Sequence, residues 1–486
     1  MVAFDLVLRG ALLFDGSGAP RRPADVGVRA GGIVAVSAAG GLDAAQAAEV
    51  LELNGLALAP GFIDVHTHDD RLLLADPSMA PKLSQGVTSV VTGNCGISLA
   101  PLGMHEAVPP LNLVADGPGQ RFDSFAAYFA ALEAAPPAIN LAALVGHTTL
   151  RAVAMAALDR AAEPDEIAHM QALVQEALQA GAIGLSTGTY YAPASAATAD
   201  EIRAVCEPLR GSGALIASHI RDEGEYVLES MREAIAIAGA LGVRQVLSHH
   251  KVVGRANFGR SRETLALLDD ARQRSDVCLD CYPYTASSTV LRKDTARQAS
   301  RTLVAWSKAQ PAAAGRYLDE LALEQGLEID AMADALQPAG AIYFSMDEAD
   351  VERILAHPET MVGSDGLPHD TFPHPRLWGA FPRVLGHYVR ERGLFSLETA
   401  VHKMTGLPAS RFGLAGRGLV QPGCAADLVV FDPERVIDAA TFAQPLRPAV
   451  GIHRVYVNGT LAWRDGAGTG ARAGQVLRRA GNRAVA

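Results

Sequence analysis

The 486-residue chain reads as an α/β protein, a (β/α)8 TIM-like barrel with a small β-sandwich domain built from the N- and C-terminal segments. Three observations predict this. Between about residues 59 and 414, short apolar strands alternate with Ala/Leu/Glu-rich runs of helical spacing, the signature of βα units around a parallel sheet. The strands number near eight, which favours a closed barrel over an open sheet. Both ends of the chain are rich in strand-like segments and glycine turns, which predicts a small sheet domain assembled from both termini, two separate terminal hairpins being the alternative.

Taken in order, FDLVLRGALLFDGSG (4–18) alternates apolar and polar residues around Gly10 and Gly16, and ADVGVRAGGIVAVSA (24–38) repeats the style. DLVVFD (427–432) and GIHRVYVNGTLAW (451–463) match them at the far end, the second turning at Asn458-Gly459. Residues 1–58 plus 415–486 are therefore expected to form the small β domain, and 59–414 the barrel. Within the barrel, SVVTGN, NLAALVGH, AIGLSTG, ALIASHI, VRQVLSHHK, VCLDCYPY and TMVGSDG read as strands. DEIAHMQALVQEALQAG and EYVLESMREAIAIAGALG read as helices that stop at a glycine cap. Residues 285–345 exceed what one crossover needs and are expected to be a helical insertion or lid over the barrel mouth. No G-x-G-x-x-G opens a helix after the first strand, which weakens a dinucleotide-binding reading.

Hydrophobic content of 49% supplies a large core, and charged content of 20% is too low for a disordered chain. The 42 basic and 53 acidic residues give a net charge of −11, the wrong sign for a protein that lives on phosphate neutralisation. A small-molecule partner is expected instead of nucleic acid. Five cysteines, at 95, 206, 278, 281 and 424, are odd in number and scattered, which argues against a disulfide framework and for a reducing compartment. Asp5 and Arg9 interrupt what would be the apolar region of a signal peptide. Leu83–Met104 is too polar to span a membrane. A cytoplasmic monomer or small homo-oligomer is expected.

The strongest chemical signal is PGFIDVHTH (60–68). His66 and His68 stand at i and i+2, so on an extended strand both imidazoles leave the same face and can offer two nitrogens to one metal. Cys95, His219, His249 and Asp365 also fall at the ends of expected strands, where barrel chemistry collects. A thiolate with two imidazoles suits zinc and leaves a fourth position open for water. Singly, each would be read more blandly, Cys95 as a core residue, Asp365 as a turn or cap. His249 and His250 are adjacent, and the alternation before them does not decide which faces the site. Cys278 and Cys281 form a C-x-x-C without a second pair and read as packing. Asp365, in GSDG, is the natural proton carrier beside an activated water.

Longer motifs carry a resemblance. PGFIDVHTHDD (60–70), SQGVTSVVTGNCGISLAPL (84–102), GAIGLSTGTYY (181–191), SHIRDEGE (218–225), LSHHKVVGRANFGRS (247–261), CYPYTASST (281–289), QPAGAIYFSMDE (337–348), GSDGLPHD (363–370) and HPRLWGAFPRVLGHY (374–388) resemble the amidohydrolase superfamily, and within it the D-aminoacylases. The resemblance implies that Cys95, His219 and His249 hold one tightly bound zinc, with His66, His68 and Asp365 bordering a second, weaker metal position. Most of the superfamily bridges two metals with a carboxylated lysine; none is evident here, and Cys95 takes the bridging role. It also implies that Lys251, Tyr282, Ser288 and Arg376 bind a substrate α-carboxylate, a task suited to a guanidinium fork, a point charge and two hydroxyls. Tyr191 is a candidate for polarising the scissile carbonyl.

The reaction so implied is hydrolysis of N-acyl-D-amino acids, with Asp365 passing a proton from water to the departing amine. Tyr190 and Met346 would line an apolar cavity, favouring D-Met, D-Leu or D-Phe. Arg292, Lys293 and Arg297 leave open an acidic side chain, D-glutamate or D-aspartate, which would need a cation in the pocket. A cyclic-amide hydrolase of the hydantoinase or dihydroorotase type, and a barrel kept as a non-catalytic scaffold, are the remaining alternatives.

Overall fold

The computed structural model describes residues 3–105, 107–115 and 121–479. Eight parallel strands pair in sequential order: Phe62–Asp64, Val87–Thr92, Asn140–Gly146, Gly184–Gly188, Leu215–His219, Arg244–Leu247, Val277–Cys281 and Thr360–Val362. Parallel neighbours need a crossover, and the helical runs between the apolar segments supply it. Inside the ring, Ile63, Val65, Val91, Ala142, Leu144, Leu215, Ala217, Val246, Cys278 and Met361 pack as one cluster. Helices cover the other face, so these strands are apolar on both sides and read as near-continuous hydrophobic runs. The first and last strands exchange no ladder bonds within their own spans. The ring closes one step later, where Asp365 N donates to His66 O at 2.8 Å.

The helix ends follow their sequence signals. Pro164–Ala180 starts at a reciprocal cap between Glu163 and Glu166, with Pro164 in its first turn, and stops at Gly181, whose φ of +110° only glycine adopts readily. Val227–Leu241 ends likewise at Gly242.

The terminal segments meet in one nine-stranded network. Phe4–Leu13 pairs first with Ala47–Glu52 and then with Ala57–Pro60, so the sheet forks. Leu428–Phe431 joins antiparallel to Ala57–Pro60 and brings in the C-terminal strands. Leu6, Leu8, Leu13, Val26, Val28, Leu58, Leu428 and Val430 form its core.

Residues 285–345 are not the helical insertion expected. Ala286–Val290, Ala339–Phe344 and Thr302–Ser307 form a three-stranded antiparallel sheet with Ala339–Phe344 at its centre. Helices Lys293–Gln298, Leu318–Gln325 and Ile329–Ala335 lie between the strands. Runs such as LDELALEQ carry strong helical preference and masked the short β-branched and aromatic segments beside them. Among the described residues no helix is long and apolar enough to cross a membrane. All five cysteines are unpaired and buried.

Candidate metal centre and substrate cavity

The six residues expected to gather do gather, at the C-terminal ends of the barrel strands. His66 and His68 follow the first strand, Cys95 the second, His249 the sixth and Asp365 the eighth, while His219 ends the fifth. Cys95, His249 and Asp365 have φ of +53°, +36° and +51°. Such left-handed backbone is costly for residues with a Cβ and collects at functional sites. Here each reversal turns a side chain inward from the strand end.

Two donor sets result, His66, His68, Cys95 and Asp365 in one and Cys95, His219 and His249 in the other, with ligand atoms in each within 4.8 Å of one another. Cys95 belongs to both. Its Sγ lies 3.2 Å from His66 Nε2 and 3.3 Å from His249 Nε2, and His249 Nε2 lies 3.0 Å from His219 Nδ1. Burial would push the Cys95 thiol up, but the charges of His66 and His249 and hydrogen bonds from His219 and His249 hold it well below the usual thiol range. A buried thiolate among imidazoles, with no other neutralising partner, fits a zinc-like cation. His68 Nε2 is 3.2 Å from Asp365 Oδ1, and His66 Nε2 is 3.6 Å from the same atom.

His249 faces the centre and His250 does not, since its Nε2 pairs with Thr264 Oγ1 at 2.8 Å. Cys278 and Cys281 pack in different clusters, as expected of opposite strand faces.

Two carboxylates that the sequence reading passed over hold the histidines from behind. Glu223 Oε1 is 3.2 Å from His249 Nδ1 and 3.6 Å from His219 Nε2. Asp280 Oδ1 accepts from His249 N at 2.9 Å and lies 3.5 Å from His66 Nδ1. Such partners fix ring orientation in metal sites. Both had a legible signal: Glu223 sits four residues past His219, and Asp280 is a charge inside an apolar strand. Burial raises the Glu223 carboxyl, yet Lys251 and the two histidines hold it far below the ordinary range.

A cavity of about 850 Å³ opens over these groups, lined by His68, Cys95, His219, His249 and Asp365 below and by Lys251, Tyr282, Ser288, Tyr190 and Tyr191 on its walls. Tyr282 OH and Ser288 Oγ are buried without a hydrogen-bond partner. Unsatisfied buried hydroxyls are rare and mark a place for a polar ligand. Lys251 Nζ lies 2.7 Å from His249 Nδ1 and pairs with Glu223. Arg376, fully buried, has its guanidinium 4.5 Å from the Tyr282 ring centre, with Nη1 2.8 Å from Asp365 Oδ2 and Nη2 on Ser288 O at 3.1 Å. Within the protein only Nη2 donates a hydrogen bond; Nη1 stands at ion-pair distance from Asp365, and both Nη1 and Nε are buried without a hydrogen-bond partner. Tyr190 stacks on the His219 ring, and Tyr191 meets it edge-on with its OH 3.0 Å from Thr289 Oγ1.

Met346 does not reach this cavity. It lines a small separate void with His250, Tyr284 and Val351, while the preceding residue, Ser345, lines the cavity. Of the three cations in STVLRKDTAR, only Arg292 lines the cavity, its guanidinium 4.8 Å above the Tyr190 ring and paired with Asp294. Lys293 pairs with Asp334 and Arg297 with Asp330, outside it.

Residues 49–462 match the amidohydrolase family. The chain is 56% identical to the D-aminoacylase of Alcaligenes xylosoxydans xylosoxydans over 476 residues, 98% of each. It is 55% identical to the N-acyl-D-aspartate deacylase of the same organism, across 97% of this chain and 95% of that one. The crystal structure of N-acyl-D-glutamate deacylase from Bordetella bronchiseptica, complexed with zinc and a phosphonate mimic of the reaction's tetrahedral intermediate, superposes with a TM-score of 0.91. The two share 46% identity, over 98% of this chain and 99% of that one.

Proposed function

Because the chain belongs to the amidohydrolase family, and within it to the D-aminoacylases, we propose that it hydrolyses N-acyl-D-amino acids to a carboxylate and the free D-amino acid. The observation that carries this reading is the shared Cys95 of two donor sets at the floor of a cavity whose wall holds unpartnered hydroxyls. We assign one tight zinc to Cys95, His219 and His249, and a second, weaker metal position to His66, His68 and Asp365. Bound there, zinc supplies Lewis acidity to water and to the acyl carbonyl.

The chain's own residues do the rest. Asp365 is kept as a carboxylate, so it can accept the proton of the attacking water and return it to the amine nitrogen as the C–N bond breaks. Burial pushes the Tyr191 phenol well up, so it stays protonated and serves as an O–H donor to the acyl oxygen. Tyr282, Ser288, Lys251 and the positive face of Arg376 orient the α-carboxylate. With the carbonyl and the carboxylate both held, the D-enantiomer alone points its side chain into open space. Ile97, Leu367, Tyr190 and Tyr191 are among the residues that line the cavity and support a preference for apolar side chains such as D-Met, D-Leu and D-Phe. Arg292 beside Tyr190 favours a second reading, an N-acyl-D-aspartate or D-glutamate substrate. A cyclic-amide hydrolase would place a carboxylated lysine where Cys95 joins the two sets.

We further divide the chain into a β domain, 1–58 plus 415–486, and a barrel, 59–414, and we place it in the cytoplasm as a monomer or small homo-oligomer, in keeping with its unpaired thiols. A hydrolysis screen of N-acetyl-D- and L-amino acids, apolar and acidic, with zinc counted per chain, tests the function. Release from D-substrates alone is expected. Equal rates on both enantiomers, or none with zinc bound, would refute it.

A further inference from the structure

Lys82 is fully buried, on the short helix Ala80–Leu83, and belongs to neither donor set nor to the cavity wall. Its Nζ donates to Asp64 Oδ2 at 2.7 Å and to Ser364 Oγ at 2.8 Å, and stands 3.2 Å from Asp69 Oδ2. These acceptors come from both sides of the barrel seam. Asp64 ends the first strand, Asp69 follows His68, and Ser364 precedes Asp365.

At this seam the first and last strands lack a ladder within their own spans, so side chains take the ladder's place. Asp64 Oδ1 accepts from Ser364 N at 2.8 Å, and its other oxygen holds the ammonium. Gly363 admits no side chain, since a Cβ there would lie 2.5 Å from His66 Cβ. The two strand ends are therefore pressed together by one cation and two buried carboxylates. The nearest catalytic consequence is the 3.2 Å spacing between His68 Nε2 and Asp365 Oδ1, whose backbones flank the clamp.

We propose that Lys82, bridging Asp64, Asp69 and Ser364, is a positioning residue that sets the distance between His68 and Asp365 across the barrel seam. A buried ammonium stripped of solvent is costly and adds little net stability, so its retention here is better explained by the geometry it enforces. A hydrophobic residue of similar volume would fill the space without joining the two strands.

The proposal rests on the deacylase reading only through its kinetic arm. Lys82→Met and Ser364→Ala are made in the full-length metal-loaded chain. For each, kcat and KM are measured on an N-acetyl-D-amino acid, and a crystal structure gives the His68–Asp365 spacing. Lys82→Met is expected to lower kcat about 100-fold with KM nearly unchanged. Ser364→Ala, which keeps both ion pairs, is expected to lower kcat about 3- to 10-fold, again without KM. In both, the spacing opens beyond hydrogen-bond reach. Should Lys82→Met fail to fold, Ser364→Ala decides alone. A folded variant with full kcat, or with the spacing unchanged, overturns the proposal. An inactive wild type refutes the deacylase reading instead, and the spacing then still decides the role of Lys82.

Discussion

Nη1 of Arg376 stands 2.8 Å from Oδ2 of Asp365. This contact ties a residue proposed to bind the substrate carboxylate to the group proposed to move the proton. Burial would raise the Asp365 carboxyl, but Arg376 first, then His249, His68 and His66, hold it well below the usual carboxylate range. Arg376→Met leaves burial less opposed, so the carboxyl rises. Because the carboxylate is the working form, the acid limb of the kcat/KM profile is expected to move to higher pH. A limb that stays in place would show that another group titrates there. Arg376→Lys keeps a charge but loses the planar fork, and should raise KM more than it shifts the limb.

Asp365→Asn preserves shape and removes the base. The variant is expected to fold and to keep its tightly bound metal while kcat falls about 10²- to 10⁴-fold. Metal analysis and steady-state kinetics on one preparation check both halves. Substantial remaining turnover would take Asp365 out of the proton-transfer role.

Cys95 joins both donor sets, so its loss cannot be made good by a neighbour. Cys95→Ala should carry less than one metal per chain after dialysis, and chelation of the wild type should abolish activity until zinc is restored. Unchanged metal content in the variant would assign the thiol to packing.

Glu223 supports His249 and His219 from the side away from the centre and neutralises Lys251. Glu223→Gln is expected to weaken metal affinity about 10- to 100-fold, as loss of such supporting carboxylates does elsewhere. Chelator competition measures this directly. An unaltered affinity would leave Glu223 only its pairing with Lys251.

Far from the cavity, Glu201 pairs with fully buried Arg151 and lies 3.5 Å from His147 Nε2. Burial raises the Glu201 carboxyl, but His147, Arg151 and the Ala162 N–H outweigh it and hold it at about 2, against 4.5 ordinarily. A depressed folded value means stability fully present above 4.5 and lost as pH falls toward 2. Glu201→Gln should therefore lower Tm at pH 7, where it leaves Arg151 buried without its counter-charge, and the gap to wild type should narrow below pH 4.5. Melting curves at several pH values test this; a constant gap would exclude the ionic contribution.

Much of the site was legible before the fold. His66, His68, Cys95, His219, His249 and Asp365 stand at strand ends, and a barrel brings its strand ends to one rim, so their convergence follows from order along the chain. The helix caps at Gly181 and Gly242 were equally readable, because a left-handed terminus calls for glycine. The insertion was misread because its strands are five or six residues long and neighbour stronger helical runs.

Sequence by itself determined the barrel, the strand-rich character of both chain ends and the candidate donors His66, His68, Cys95, His219, His249 and Asp365, since period, caps and residue chemistry are local properties. Tertiary structure alone decided which of His249 and His250 faces inward, that Arg292 and not Met346 borders the cavity, that Arg376 forms an ion pair with Asp365 and donates to Ser288 O, and that Lys82 bridges the seam. Those facts depend on a positive φ, the opposite placement of the adjacent Ser345 and Met346, and contacts between residues hundreds of positions apart. No local pattern in the chain encodes such distances; only the packing of one strand end against another does.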